Sequence, residues 1–182
     1  MLCFMKCKQN EYDYIRWQNR AFHFYLASRL LYFNEHVGPA TFCAQQAVEL
    51  MLKATLVYWD RSFRPRVAGH KFTKMLRTLK GKVKGAEHVA VSTYFYSDQR
   101  YQSVSRYPAE GKGVLITSTF LDDLDRIIYD LIVLVPFQFN TELVNTVLGY
   151  STKYKKKLNT LRRKNQQMRQ LRKYLAKWLK KT

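Results

Sequence analysis

The sequence predicts an all-α protein: an up-and-down bundle of four to five helices over residues 12–137, with a basic helical extension over residues 150–182. Three observations carry this expectation. Apolar residues recur at three- and four-residue spacing through long stretches, whereas apolar/polar alternation of strand length is absent. Only seven Gly and four Pro punctuate 182 residues, which leaves little chain for linkers. A hydrophobic content of 47%, with 15% aromatics, is enough for one core and sets aside global disorder.

Ile15 to Phe33 reads as the first helix, because Ala21, Phe22, Phe24, Tyr25, Leu30 and Leu31 recur at helical intervals with Arg16, Arg20 and Arg29 between them. Gly38-Pro39 breaks the chain. Pro39 suits the first position of a second helix running to about Trp59, and the two helices form an antiparallel hairpin. Phe63 to Gly69, with Pro65, is a connection, and Lys71 to Leu79 a short helix. Gly81 and Gly85, among lysines, mark a loop; Glu87 to Tyr96 reads as a further helix, and Ser97 to Gly113 as irregular. Thr119 with Asp122 is a capping signature ahead of Leu121, Leu124, Ile127, Ile128, Leu131 and Ile132, the last bundle helix, which Pro136 stops. Asp122, Asp123 and Asp125 gather at its N-terminus, where the helix dipole favours them, and no metal is expected there.

The charge is lopsided. Of 32 Lys/Arg, 13 lie in residues 150–182, which hold none of the 13 Asp/Glu, so a net +13 of the total +19 sits there. Such a block points to a polyanion, nucleic acid before an anionic membrane surface. Lys155, Lys156, Lys157, Arg162, Arg163, Lys164, Arg169, Arg172 and Lys173 are its candidate phosphate contacts. Leu158, Leu161, Met168, Leu171, Leu175 and Leu179 give the tail a thin apolar stripe, and Tyr154, Tyr174 and Trp178 offer rings to stack on bases, to sit at a membrane interface or to dock on the bundle.

Other classes fall away. No apolar run reaches the roughly 18 residues of a membrane span, since Asp130 interrupts Ile127 to Val135. Met1 to Lys8 is too short for a signal peptide, so a cytoplasmic protein is expected. Cys3, Cys7 and Cys43 lack metal-type pairing and fit a reducing compartment. Phosphate-loop, dinucleotide, zinc-protease and Cys-x-x-Cys templates are all missing, and no cofactor is expected.

The segment Gln45-Gln46-Ala47-Val48-Glu49-Leu50-Met51-Leu52-Lys53-Ala54 carries the most specific signal. Cys43, Ala47, Leu50, Ala54 and Val57 share one face; Gln46, Glu49 and Lys53 line another, with Glu49 and Lys53 spaced as a solvated ion pair worth about 0.2–0.5 kcal/mol. Gly69-His70 follows, and then Arg106-Tyr107-Pro108. In this order the motifs resemble the HEPN family, whose pattern is Gln-Gln-Ala-x-Glu-x-x-x-Lys-Ala on the second helix, a Gly/Thr-His before the third, and an Arg-Tyr-Pro turn before the last. The likeness runs from about Tyr14 to Val135, roughly two thirds of the chain.

The resemblance implies a HEPN-like bundle that dimerises, of the type associated with minimal nucleotidyltransferases in paired toxin–antitoxin or defence systems. It also implies nucleotide or phosphate recognition, for which Lys53, Arg106 and Tyr107 are the candidates. A plainer role stands beside this: Arg106 holding its loop through carbonyls and Tyr107 plugging the bundle end. Active members are ribonucleases with an Arg-x(4–6)-His motif. Arg64 and His70 meet that spacing, but so do Arg16 with His23 and Arg29 with His36, and Arg64 lies in the connection after helix two. Arg64 and His70 therefore remain candidates without an assigned catalytic role, and His70 is read as a capping or packing residue that orients the third helix. The expected function is a non-enzymatic module that binds RNA, DNA or nucleotide, an accessory or antitoxin-like partner working as a homodimer or beside a nucleotidyltransferase-type chain. The alternatives are a metal-independent endoribonuclease using Arg64 and His70, and a peripheral membrane protein held by its tail.

Overall fold

A computed structural model describes residues 2–91 and 119–135 and the single positions 173, 176 and 177, with side chains from residue 14 onward. Among the described residues the fold is helical, without strands: α1 (Leu2–Phe33), α2 (Val37–Trp59), α3 (Pro65–Ala68), α4 (Phe72–Lys82) and α5 (Phe120–Ile132). Lys173, Ala176 and Lys177 are helical and exposed; the rest of the tail, Arg106 and Tyr107 lie outside the described residues.

The three residues Asn34–His36 reverse the chain between α1 and α2, and a link this short makes the helices antiparallel neighbours. Glu35 takes the left-handed conformation (φ 64°), and the His36 N–H donates to the Leu31 carbonyl at 2.9 Å. Ser28 of α1 donates to the Ala40 carbonyl at 2.8 Å, which ties the start of α2 to α1. Ala40, Ala44 and Ala47, spaced for one face of α2, are fully buried and permit close helix approach.

α2 is the central element and packs against α1, α4 and α5. Every residue from Ala44 to Val57 except Gln46 is buried, so this helix has no wide solvent face. The Glu49–Lys53 pair is accordingly buried with it, contrary to the solvated pair expected from sequence. α4 buries Phe72, Met75 and Leu79 and turns its other faces outward. α5 buries the predicted stripe Leu121, Leu124, Ile127, Ile128, Leu131 and Ile132. Tyr32 stacks on Phe120 with centroids 5.6 Å apart, and the Trp59 indole donates to the Leu134 carbonyl at 2.7 Å, so α1 and α2 each grip one end of α5.

Asp125 departs from the expected acidic N-terminus. It is fully buried, accepts the Tyr25 hydroxyl at 2.6 Å and pairs with the buried guanidinium of Arg29. That guanidinium also lies 5.7 Å from the Tyr25 ring centre and 5.8 Å from that of Phe33. Burial draws Arg29 toward neutrality, but the Asp125 charge outweighs it and holds the guanidinium above its ordinary value. Burial and the neighbouring Asp125 push the Tyr25 phenol well up.

Several boundaries differ from expectation. α2 begins at Val37, so Pro39 is its third residue, where its missing N–H is one of the first-turn orphans. The predicted connection contains the one-turn α3, with Pro65 at its start. Thr119 caps α5 with its carbonyl, which accepts the Asp123 N–H at 2.8 Å, and not with its side chain. α5 ends at Ile132, ahead of Pro136. Glu87 to Val91 is not helical. Val89 and Val91, two apart, are both buried, which an extended segment achieves and one helix face does not; residues 92–96 lie outside the described residues.

Candidate functional site

The polar chemistry gathers where α3 and the start of α4 meet the middle of α2. Glu49 and Lys53 stand one helical turn apart, 4% and 6% exposed, with Lys53 Nζ 2.6 Å from Glu49 Oε1. Lys53 also lies 5.7 Å from the centre of the Trp17 ring on α1. The second partner of the carboxylate comes from outside the helix. His70 Nδ1 sits 3.0 Å from Oε1 and 2.9 Å from Oε2.

Gly69 makes that approach possible. It closes α3 at φ 57°, ψ −133°, a conformation a Cβ disfavours although nothing lies within 4 Å of where one would stand. The chain is thereby turned so that His70 points back to α2 while the Phe72 N–H donates to the His70 carbonyl at 2.8 Å. Buried Phe72 and Met75 then anchor α4. The His70 side chain remains 61% exposed. An imidazole held through Nδ1 by a buried carboxylate, with its ring at the surface, is an oriented donor or proton carrier. Trp17, Lys53, Glu49 and His70 thus form a line of contacts in which the buried Lys53–Glu49 pair lies between a half-buried ring and an exposed imidazole.

The structure does not join Arg64 to His70. Arg64 precedes α3, donates to the Arg61 carbonyl at 3.2 Å and lines a separate pocket, while His70 turns to Glu49. The other formal pairs fare no better as sites: Arg29 is buried against Asp125 with His36 exposed, and Arg16 and His23 are both surface groups. Lys53 is committed to Glu49 in the interior.

A feature absent from the sequence reading lies beside this line. Residues 61–84 carry nine Lys/Arg and no Asp/Glu, and all nine are exposed. Among the described residues only Lys82 of the nine has an ion-pair partner, Asp60 at 2.6 Å. The segment borders an open pocket of about 310 Å³ lined by Phe63, Arg64, Val67, Lys71, Lys74 and Met75 together with Asp60 and Ser62. The sequence signal for it is the charge run itself, nine Lys/Arg in 24 residues without an acid.

A small helical bundle with its polar residues collected on one edge of a central buried helix defines an all-α module without a built-in metal centre among the described residues. The chain matches the HEPN domain family over residues 14–129, more than half its length, and belongs to that family. Membership supports a nucleic-acid-related or ribonuclease-type module. No curated protein and no solved structure matches the chain. Among the described residues no helix is long and apolar enough to cross a membrane.

Proposed function

We propose that this HEPN module binds nucleic acid or nucleotide through phosphates without cleaving it, as an accessory or antitoxin-like partner of a nucleotidyltransferase/toxin or defence system. The observation that carries the binding is unneutralised charge. Eight exposed cations between Arg61 and Lys84 have no ion-pair partner among the described residues, and 13 more occupy residues 150–182. Neutralising phosphates releases counterions and supplies sequence-independent affinity. The separation of Arg64 from His70 supports a non-cleaving role, because the ribonuclease pattern needs both groups at one phosphate. The module is expected to act in the cytoplasm as a homodimer or a heterodimer.

A second reading has its own support. The carboxylate-held, exposed His70 resembles a general base or acid, which suits a metal-independent endoribonuclease in which Arg64 approaches the phosphate on binding. Full-length protein incubated with end-labelled transfer RNA separates the two. A retarded, intact RNA is expected. Cleavage lost in both Arg64→Ala and His70→Ala would replace it with the ribonuclease reading.

A further inference from the structure

We propose that the corner formed by the end of α2, α3 and α4 is a site for single-stranded nucleic acid, in which one unpaired base enters the pocket while Arg64, Lys71 and Lys74 hold the flanking phosphates. The proposal rests on the nucleic-acid reading above and narrows it to one strand form and one place.

The pocket has the composition a base requires. Its floor is apolar, with Met75 buried beneath it and Phe63 packed against the core, and Val67, 83% exposed, stands at the lip. A base has two apolar faces and a polar edge, and its ring faces stack on aromatic side chains, here Phe63, without sequence preference. The Ser62 and Thr78 hydroxyls donate to Asp60 and to the Lys74 carbonyl, and their oxygens remain as acceptors for the N–H groups of a base edge. A duplex keeps its bases inside, so an apolar pocket of about 310 Å³ among cations gains nothing from a duplex that stays paired.

The charges are placed for the flanking strand. Lys71 and Lys74 are three residues apart, hence neighbours on one face of the helix start, and both are exposed. Arg64, at the N-terminus of α3, also lines the pocket and brings a planar fork suited to phosphate. Asp60 would repel phosphate, yet its carboxylate is occupied: it accepts from the Ser62 N–H at 3.0 Å, the Ser62 hydroxyl at 2.6 Å and Lys82 at 2.6 Å. Its charge is thus balanced locally, and the rim as a whole stays positive.

The test uses full-length protein and a labelled 12-residue oligoribonucleotide, free or annealed to its complement, read by fluorescence anisotropy at one moderate salt concentration. Two variants touch only exposed positions, so folding is preserved. Lys71→Glu with Lys74→Glu is expected to weaken single-strand binding by more than tenfold. Val67→Ser, at the lip, removes an apolar contact without adding charge, and is expected to weaken single-strand binding about fivefold and to leave duplex binding within about twofold. Wild-type affinity for the single strand in both variants would overturn this site while leaving nucleic-acid binding by the protein intact. Equal losses for single strand and duplex in Val67→Ser would overturn base insertion. Failure of the unaltered protein to bind either form would overturn the site together with the broader reading.

Discussion

Glu49 and His70, 21 residues apart in sequence, meet at 2.9 Å, and through that contact a buried helix is tied to an exposed imidazole. The carboxylate also holds Lys53, so its two partners differ in environment: Lys53 is buried, whereas the His70 side chain is 61% exposed.

The first prediction follows from that asymmetry. Glu49→Gln leaves Lys53 charged, buried and uncompensated, which costs about 3–5 kcal/mol. His70→Ala removes a largely solvated partner and should cost less than about 1 kcal/mol. Urea unfolding of both variants measures the difference. Equal losses would show that Glu49 is not the hub described.

A second buried carboxylate gives a sharper comparison. Asp125→Asn strands the Arg29 guanidinium and should cost about 3–5 kcal/mol. Tyr25→Phe removes one hydroxyl donor to a carboxylate and should cost about 1–3 kcal/mol. The double change Arg29→Met with Asp125→Leu should be less damaging than Asp125→Asn alone, because an apolar replacement of a buried pair avoids its desolvation. A double variant worse than the single one would contradict this.

Gly69→Ala should destabilise the fold by about 1–3 kcal/mol through backbone strain alone, since a Cβ there meets no atom within 4 Å. Gly38→Ala offers the control. Gly38 lies in the first turn of α2 with similar open space, and alanine there should be neutral or stabilising by up to about 1 kcal/mol. Thermal unfolding of the two variants should shift in opposite directions or leave Gly38→Ala unmoved.

The Asp60–Lys82 pair sets a pH dependence. Hydrogen bonds from Lys82 and then Ser62 hold the Asp60 carboxyl down at about 2. Because the folded value is the lower one, the pair's contribution is complete above the unfolded value of about 4 and fades as pH falls toward 2. Lys82→Met should therefore lower stability at neutral pH, with the gap to the unaltered protein closing below about pH 4. A gap that stays constant down to pH 2 would contradict the assignment.

The helices were legible because apolar spacing is a local property: the stripe from Leu121 to Ile132 and the run from Gln45 to Ala54 needed no knowledge of partners. Burial of charge was not legible in the same way. Asp125 lies four residues after Leu121 and three before Ile128, on the apolar stripe, and Arg29 stands four residues from both Tyr25 and Phe33. Those positions were the available signal; what they lacked was the knowledge that α1 and α5 pack so that the two charges cancel. A favourable local pair looks the same on an exposed helix and a buried one, so spacing alone does not place Glu49 and Lys53 in the interior. The meeting of His70 with Glu49 depends on the backbone turn at Gly69, and no spacing rule encodes it. Glu87 to Val91 failed as a helix because the burial of both Val89 and Val91 overrode propensity.

The central claim is that the unpaired cations of this HEPN module bind nucleic acid. Equilibrium binding of the full-length protein to one RNA sequence, single-stranded and duplex, across about 50 to about 200 mM salt tests it most directly. With about five phosphates neutralised, log affinity should fall against log salt with slopes near about −3.5 for the single strand and about −4.5 for the duplex. Absence of binding at the lowest salt, or an affinity that does not change across the series, would contradict the account.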